Sequence, residues 1–175
     1  KKYNPDNMSH FCISCGSELS LRRIEGRERE ICLNCGWIKY DQLKVTAGVL
    51  VEKNGKILLV RRAIQPWKGF WYLPAGFVES DEHPKKAAER EGFEETNLKI
   101  EAKELVNIYF YDDDPRGNGL LILYSGIILA GEIKPGPEAL EINFFATDEI
   151  NSMKLAGGSH NLAIQEWISR NGKAG

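Results

Sequence analysis

The sequence has no long apolar run and almost no net charge. Of its 175 residues, 42% are hydrophobic and 27% are charged, and the formal net charge is −2. No apolar run approaches the roughly 20 residues that a membrane-spanning helix needs, so the sequence does not predict a membrane protein. A near-neutral balance gives no support for a large nucleic-acid surface, because such surfaces are strongly basic. The composition therefore predicts one medium-sized soluble domain with a small additional domain.

Cysteine is scarce, and its few residues are grouped. The four cysteines form two C-x2-C pairs with 16 residues between them, a spacing typical of a zinc ribbon: Cys12, Cys15, Cys32 and Cys35. A glycine follows each pair and permits a tight turn whose N–H groups face the sulfurs. Two disulfides are the alternative, and the paired turns and lack of a signal peptide favour zinc. Four thiolates fill a tetrahedral ion, so this zinc is expected to be structural rather than catalytic.

The cysteine pairs suggest the domain organisation. We expect a flexible tail over residues 1–9, a zinc ribbon over 10–41 and a larger domain over 42–175. The ribbon contains few large apolar side chains, so a bound metal would help it to fold. The chain begins with Lys1 rather than Met, which leaves a missing initiator or leader open. With no signal peptide in the sequence, we expect a cytoplasmic protein.

Three glutamates in the middle of the chain are spaced to share one helix face. Glu91, Glu94 and Glu95 stand at i, i+3 and i+4, and 3.6 residues per turn bring them to one side. Like charges at this spacing repel by a few tenths of a kcal/mol per pair. A solvated acidic face is one interpretation. The other is a site for Mg²⁺ or Mn²⁺, which prefer carboxylate oxygens as ligands.

The segment around these glutamates has a longer pattern, G-x5-E-x7-R-E-U-x-E-E-x-G-U, in which U is apolar. From Gly76 to Leu98 the sequence resembles the box of the Nudix hydrolases, which cleave nucleoside diphosphates linked to another moiety. Two positions depart from the pattern. Asn97 replaces a glycine and suits the left-handed turn that ends a helix. Gly92 replaces an apolar residue at a cost of about 1 kcal/mol of helix propensity, and we interpret it as a close approach of helix and sheet.

The residues before the box agree with this resemblance. Residues 69–76 are similar to the family's G-x-W-x-x-P-[GA]-G segment, which predicts a short strand ending at Pro74 and then a glycine loop. A helix is expected to start near Pro84, because proline suits the first helical position. Glu82 lies just before it and would accept hydrogen bonds from the helix N-terminus or pair with Arg90. Gly76, Glu82 and Arg90 are thus expected to support the site.

The resemblance also implies the metal ligands. Glu91 and Glu95 would bind the ion directly, Glu94 would share or bridge it, and the carbonyl of Ala75 would join them. Mg²⁺ or Mn²⁺ would neutralise the phosphates and lower the pKa of a bound water. The base in this family is a box glutamate or one on a later loop. Here Glu138 and Glu141 are the loop candidates, with Glu141 favoured because it precedes a predicted strand; ordinary loop charges are the alternative.

Substrate contacts are expected from the loop before the box. Arg61 and Arg62 could reach a phosphate, and Trp67 could stack on a base, a contact worth roughly 1–3 kcal/mol. The segments 61–66 and 73–77 resemble a ribbon-bearing Nudix group associated with ADP-ribose and FAD hydrolysis. The Ser-Gln-Pro-Trp-type segment of NADH pyrophosphatases is absent, which counts against NAD(H) specificity.

The resulting hypothesis is metal-dependent hydrolysis of ADP-ribose or FAD to AMP and a phosphorylated second half. The alternatives are an NADH pyrophosphatase, a clean-up enzyme for nucleoside triphosphates, and a non-catalytic module that senses a nucleotide or binds nucleic acid or protein. The expected partner is a nucleotide-derived small molecule, and a homodimer is left open because family members often pair.

The predicted fold is an α/β/α sandwich with a mixed sheet, preceded by the zinc ribbon. A hairpin is expected around Asn54-Gly55, the strongest short signal for such a turn. Further strands are predicted at 105–111, 120–129 and 142–146. A C-terminal helix is expected from about His160 to Arg170, and its inward-facing residues would be Leu162, Ala163, Trp167 and Ile168.

Overall fold

A computed structural model describes residues 10–171 of the chain. The predicted tail at residues 1–9 lies outside the described residues. The described part divides into two compact units, with the boundary between Gln42 and Leu43. Within the described residues, no helix is long and apolar enough to cross a membrane.

The smaller unit is an antiparallel sheet of three strands, β1 (Leu19–Ile24), β2 (Arg27–Cys32) and β3 (Ile38–Lys39), in the order β1-β2-β3. A turn with positive φ at Glu25 and Gly26 joins the first two strands. The buried apolar residues of the described part of this unit are Cys12 and Cys32. Such a small buried set is consistent with a fold that depends on its cysteines.

The larger unit is built on a mixed sheet of seven strands. Its main path runs in the order β10-β5-β4-β9-β8, with β6 paired to β5 and β7 paired to β4. The β4–β9 pair is parallel and the other pairs are antiparallel. The strands are β4 (Lys44–Lys53), β5 (Lys56–Arg62), β6 (Trp71–Tyr72), β7 (Ala75–Phe77), β8 (Lys99–Tyr111), β9 (Gly119–Ala130) and β10 (Ala139–Phe145).

Two helix layers cover the faces of this sheet. Helix α1 (Pro84–Thr96) packs its buried Ala87 and Ala88 into a core with β4 and β5, while the short α2 (Thr147–Ile150) and α3 (Gly158–Asn171) contribute to the second core. This arrangement confirms the predicted α/β/α sandwich. Ala163 and Trp167 of α3 are buried as predicted. The prediction for Leu162 was wrong: its side chain is 56% exposed, and Ile164 is buried instead.

The local turns follow the sequence signals. Asn54 and Gly55 both have positive φ between β4 and β5, as the hairpin requires. Pro84 begins α1, and Asn97 ends it in the left-handed conformation with φ 61°. The expectation of a glycine loop after Pro74 was wrong, because Ala75–Phe77 forms β7 and pairs with β4. Both flanks of the box are therefore held by regular structure.

Gly92 lies where α1 crosses the sheet. A methyl group built on it would lie 3.1 Å from the Cδ1 atom of Ile100 and 3.3 Å from the Cγ2 atom of Val49. Those contacts are tight, and they come from two strands, β8 and β4. The structure thus supports the interpretation that glycine permits close approach of helix and sheet here.

Candidate functional sites

A cleft of about 610 Å³ opens in the larger unit beside the box. It lies between the start of α3, the β8–β9 loop and the face of α1 that carries the glutamates. Its lining combines carboxylates, cations and aromatic rings, and includes Arg62, Trp67, Tyr72, Ala75, Gly76, Phe77, Glu91, Glu94, Asp113, Arg116, Glu138 and His160. A mixed polar and aromatic lining of this size suits a small ligand with both charged and ring-shaped parts.

Glu95 is the most buried carboxylate of the box, with 6% of its surface exposed. Its Oε1 atom accepts a hydrogen bond from the hydroxyl of Tyr72, and its Oε2 atom accepts one from the backbone N–H of Ala75 at 3.1 Å. Burial raises the pKa of Glu95 to about 8, with a further contribution from the charge of Glu91, while the two donors oppose the shift. A buried carboxylate with a raised pKa is well suited to bind a cation in place of a proton.

Glu91 lies directly over Gly76. A methyl group at Gly76 would overlap the carboxylate of Glu91, so the absent side chain makes the space that this carboxylate occupies. Burial raises the pKa of Glu91, and the neighbouring guanidinium of Arg90 opposes that shift. Glu91 thus lines the cleft, and the buried Glu95 lies one helical turn along α1, where it is bonded to the lining residues Tyr72 and Ala75.

Arg90 connects the box to the loop before it. Its guanidinium donates to Glu82 at 2.5 and 3.2 Å and to the carbonyl of Phe77 at 2.9 Å. It also donates to Glu91 at 2.7 Å and to the half-exposed Glu94 at 3.2 Å. Glu82 therefore pairs with Arg90, and His83 takes the position that caps α1. Arg90 lowers the pKa of Glu82 in turn.

Replacing Gly76 by alanine should reduce activity more than stability. The new methyl group must displace the flexible end of Glu91, which costs little folding energy but moves a carboxylate out of the cleft. We expect kcat to fall by about 10²-fold, in line with misplacement of a catalytic group by about 1 Å, with the melting temperature nearly unchanged. Parallel kinetics and thermal melts of Gly76→Ala check this. A folded Gly76→Ala variant with wild-type kcat would contradict the claim that Gly76 leaves necessary room for the carboxylate of Glu91.

The two loop candidates for the base differ in position. Glu138 lines the cleft, with an oxygen 4.0 Å from the guanidinium of Arg62. Glu141 pairs with Arg61 at 3.5 Å on adjacent strands, and neither residue is among the lining residues described. The prediction that Glu141 precedes a strand was wrong: it lies within β10, where pairing with Arg61 of β5 keeps it out of the described lining.

The predicted stacking residue, Trp67, does line the cleft. Its backbone has φ 68°, and its ring meets Phe70 edge-on at 5.9 Å between centroids. Gly157 faces it: a methyl group there would lie 3.9 Å from the Nε1 atom of Trp67. Arg62 is fixed nearby by a 2.8 Å hydrogen bond to the carbonyl of Pro66.

Several lining residues were not found from the sequence, among them Tyr72, Asp113 and His160. Asp113 accepts a 2.7 Å hydrogen bond from the backbone N–H of Gly158 and so ties the β8–β9 loop to the start of α3. His160 meets the ring of Tyr72 edge-on at 5.6 Å, and its Nδ1 atom is buried without a partner among the described residues. These residues come together only through the fold, and no motif in the sequence marks them.

His160 should make stability depend on pH. Burial, with a smaller contribution from Arg62, lowers its pKa to about 4. The folded state therefore disfavours protonation, so stability is fully present above about pH 6.5 and is lost as pH falls towards 4. We expect the free energy of unfolding to drop by about 2–3 kcal/mol from this residue over that range. Urea unfolding at pH 7 and pH 4.5 should show a smaller drop in the free energy of unfolding for His160→Gln than for the wild type. Equal drops in the two proteins would contradict a role of His160 in this pH dependence.

The four cysteines of the smaller unit form a separate cluster. All four thiols are free, and their Sγ atoms lie within 4.8 Å of one another. Cys12 and Cys35 are 3.5 Å apart and Cys15 and Cys32 are 3.4 Å apart. Tetrahedral zinc with bonds of about 2.3 Å places its sulfurs about 3.8 Å apart, so this cluster fits such an ion. The free thiols argue against the two-disulfide alternative.

Both units match families of known proteins. The family model described as NUDIX domain matches residues 41–166, and the model described as Nudix N-terminal, a zinc-ribbon family, matches residues 10–41. An ADP-ribose pyrophosphatase of Methanocaldococcus jannaschii is 37% identical over 163 residues, covering 90% of this chain and 94% of that protein. The NAD-capped RNA hydrolase NudC of Haemophilus influenzae is 31% identical over 107 residues. The match covers 60% of this chain and 38% of the length of NudC.

A solved structure extends the likeness to the fold. The crystal structure of a NUDIX hydrolase from Nitrosomonas europaea superposes with a TM-score of 0.77 at 35% identity, covering 93% of both chains. The resemblance read from the box is thereby confirmed. The chain belongs to the Nudix hydrolase family, and its residues 10–41 match that family's N-terminal zinc-ribbon domain.

Proposed function

We propose that this chain hydrolyses the pyrophosphate bond of ADP-ribose or FAD, with a divalent cation, to AMP and a phosphorylated second half. The observation that carries this is a pair of carboxylates one helical turn apart: Glu91 lines a cleft of about 610 Å³, and the buried Glu95 accepts hydrogen bonds from the lining residues Tyr72 and Ala75. Burial makes both carboxylates costly to ionise, as their raised pKa values indicate, and a cation bound between them and a diphosphate would lower that cost. The name of the 37% identical relative supports ADP-ribose as substrate.

Glu91 and Glu95 are the proposed direct ligands of Mg²⁺ or Mn²⁺. The half-exposed Glu94 and the carbonyl of Ala75 would complete the protein's share of the ligands. The bound ion would neutralise the diphosphate and activate a water. The protein's own contribution is positioning: Arg90 and Glu82 fix the loop, and Gly76 leaves room for the carboxylate of Glu91.

Glu138 is the proposed general base. It lines the cleft and approaches Arg62, whereas Glu141 is occupied by Arg61 away from the lining. A base must come within hydrogen-bond reach of the attacking water in the bound state. Position in the cleft therefore favours Glu138 over Glu141.

Arg62 and Trp67 are the proposed substrate contacts. The guanidinium of Arg62 lies near Glu138 and Tyr72, where it could pair with a phosphate oxygen. Trp67 lies at the α3 end of the cleft, where an aromatic face can stack on adenine. Arg61 is not among the described residues that line the cleft, so we do not propose that it contacts a phosphate of the substrate.

For the smaller unit we propose a structural zinc ion bound by Cys12, Cys15, Cys32 and Cys35. The spacing of the four Sγ atoms supports this. A cytoplasmic location, in which thiols stay reduced, is consistent with four free cysteines.

A second candidate is hydrolysis of NAD-type dinucleotides, which the 31% identity to NudC over part of the chain favours. A product-resolved screen separates the candidates. The chain would be incubated with Mg²⁺ and ADP-ribose, FAD, NADH and a nucleoside triphosphate in turn, and the products separated by chromatography. We expect AMP to form fastest from ADP-ribose or FAD. Preference for NADH, release of inorganic pyrophosphate, or nucleotide binding without hydrolysis would each contradict the proposal.

A further inference from the structure

Tyr72 makes a contact that the family pattern does not assign. It stands at the end of β6, is 2% exposed, and donates its hydroxyl hydrogen bond to Oε1 of Glu95. The N–H of Ala75 donates to the other oxygen. Resting on the proposed function, we propose that Tyr72 is a positioning residue: its hydroxyl orients Glu95 so that the carboxylate can bind the divalent cation.

The ring of Tyr72 is held on several sides, so its hydroxyl has a fixed place. Its backbone pairs with Val60 of β5. The guanidinium of Arg62 lies 5.6 Å from its ring centroid, and the ring of His160 meets it edge-on, also at 5.6 Å. A donor on such a rigid ring directs its acceptor with little freedom.

The hydrogen bonds leave room for an ion. A carboxylate has about four acceptor positions, and the two donors to Glu95 occupy one on each oxygen. The described residues show no other hydrogen bond to Glu95, so the remaining positions could take a cation, and the two donors fix the plane in which they point.

Partners that hydrogen-bond to metal ligands generally matter for metal affinity. Their removal typically costs 10–100-fold in affinity or activity, because the ligand loses its orientation. A tyrosine that only filled space would not have this effect when its hydroxyl alone is removed.

The chain contains a matched control. Tyr109 is 5% exposed and donates its hydroxyl to Glu166 of α3 at 2.9 Å. This pair has the same chemistry, but it belongs to the core on the other face of the sheet and is not among the described lining residues. Tyr109→Phe therefore removes a tyrosine hydroxyl that donates to a glutamate away from the cleft, at a partly buried position.

Calorimetric titration with Mn²⁺ tests the proposal in wild type, Tyr72→Phe and Tyr109→Phe. We expect Tyr72→Phe to weaken Mn²⁺ binding by about 10–100-fold and Tyr109→Phe to leave it within about 2-fold of wild type. Equal Mn²⁺ affinity in Tyr72→Phe and wild type would overturn the proposal.

A measurement on the unaltered protein covers the case in which Tyr72→Phe does not fold. The buried hydroxyl proton of Tyr72 should give a slowly exchanging, downfield NMR signal that shifts when Mg²⁺ is added. A signal that stays in place while Mg²⁺ binds would refute the positioning role. Wild-type protein that binds no cation would instead defeat the proposed function itself, so the two failures are distinguishable.

Discussion

Glu95→Gln should lower kcat by roughly 10³-fold while the protein stays folded. Binding of the cation between carboxylate and phosphate is expected to supply several kcal/mol in the transition state, and each 1.36 kcal/mol is a factor of ten in rate. Glutamine has the shape of glutamate but no charge to offer a cation. Steady-state kinetics with ADP-ribose and Mg²⁺ would measure the loss, and KM should change far less than kcat.

The fold should survive this substitution because both buried partners can still be satisfied. The N–H of Ala75 can donate to the glutamine oxygen, while the hydroxyl of Tyr72 can accept from the glutamine NH₂. Glu89→Gln is the matched control on the same helix. Glu89 accepts from Lys86 and from the backbone N–H of Ala102, and it is not among the described lining residues. If kcat of Glu95→Gln lay within about 3-fold of kcat of Glu89→Gln, the assignment of Glu95 as a metal ligand would be refuted.

Removal of zinc should unfold the smaller unit. Structural zinc sites in small domains contribute about 10–16 kcal/mol of apparent binding free energy, and the described part of this unit buries little apolar side chain besides Cys12 and Cys32. We expect a strong chelator, or Cys12→Ser, to abolish amide protection over residues 10–41. Hydrogen exchange followed by mass spectrometry reports this, and protection over residues 43–171 is read in the same experiment.

Ser14→Ala is the control for the zinc experiment. Ser14 lies between Cys12 and Cys15, and its replacement leaves all four thiols in place. Metal analysis should find one zinc per chain in wild type and Ser14→Ala, and less than that in Cys12→Ser. A zinc-free wild-type protein with intact protection over residues 10–41 would contradict a structural zinc ion.

The parts of the fold that local chemistry determines could be predicted from the sequence. The Asn54-Gly55 turn, the start of α1 at Pro84 and its end at Asn97 each follow from backbone preferences of single residues. The spacing of Glu91 and Glu95 on a 3.6-residue helix likewise placed both at one surface. Such features need no knowledge of the rest of the chain.

The parts that depend on distant contacts could not be predicted in this way. Leu162 fits the apolar stripe of α3, but the position of the helix on the sheet exposes it and buries Ile164. Glu138 and Glu141 look alike in sequence, and only the pairing of β10 with β5 directs Glu141 to Arg61. Tyr72 and His160 are 88 residues apart and meet only through the packing of α3 against β6.

The central claim is that the carboxylates of α1 hold a divalent cation against a bound diphosphate. The most direct test is Mn²⁺ titration of the zinc-containing protein, followed by electron paramagnetic resonance, with a non-hydrolysable ADP-ribose analogue present. The account predicts saturable Mn²⁺ binding that is lost in Glu91→Gln and Glu95→Gln and retained in Glu89→Gln. Absence of Mn²⁺ binding in the folded wild-type protein would contradict the account, and so would equal Mn²⁺ binding by the wild type and all three variants.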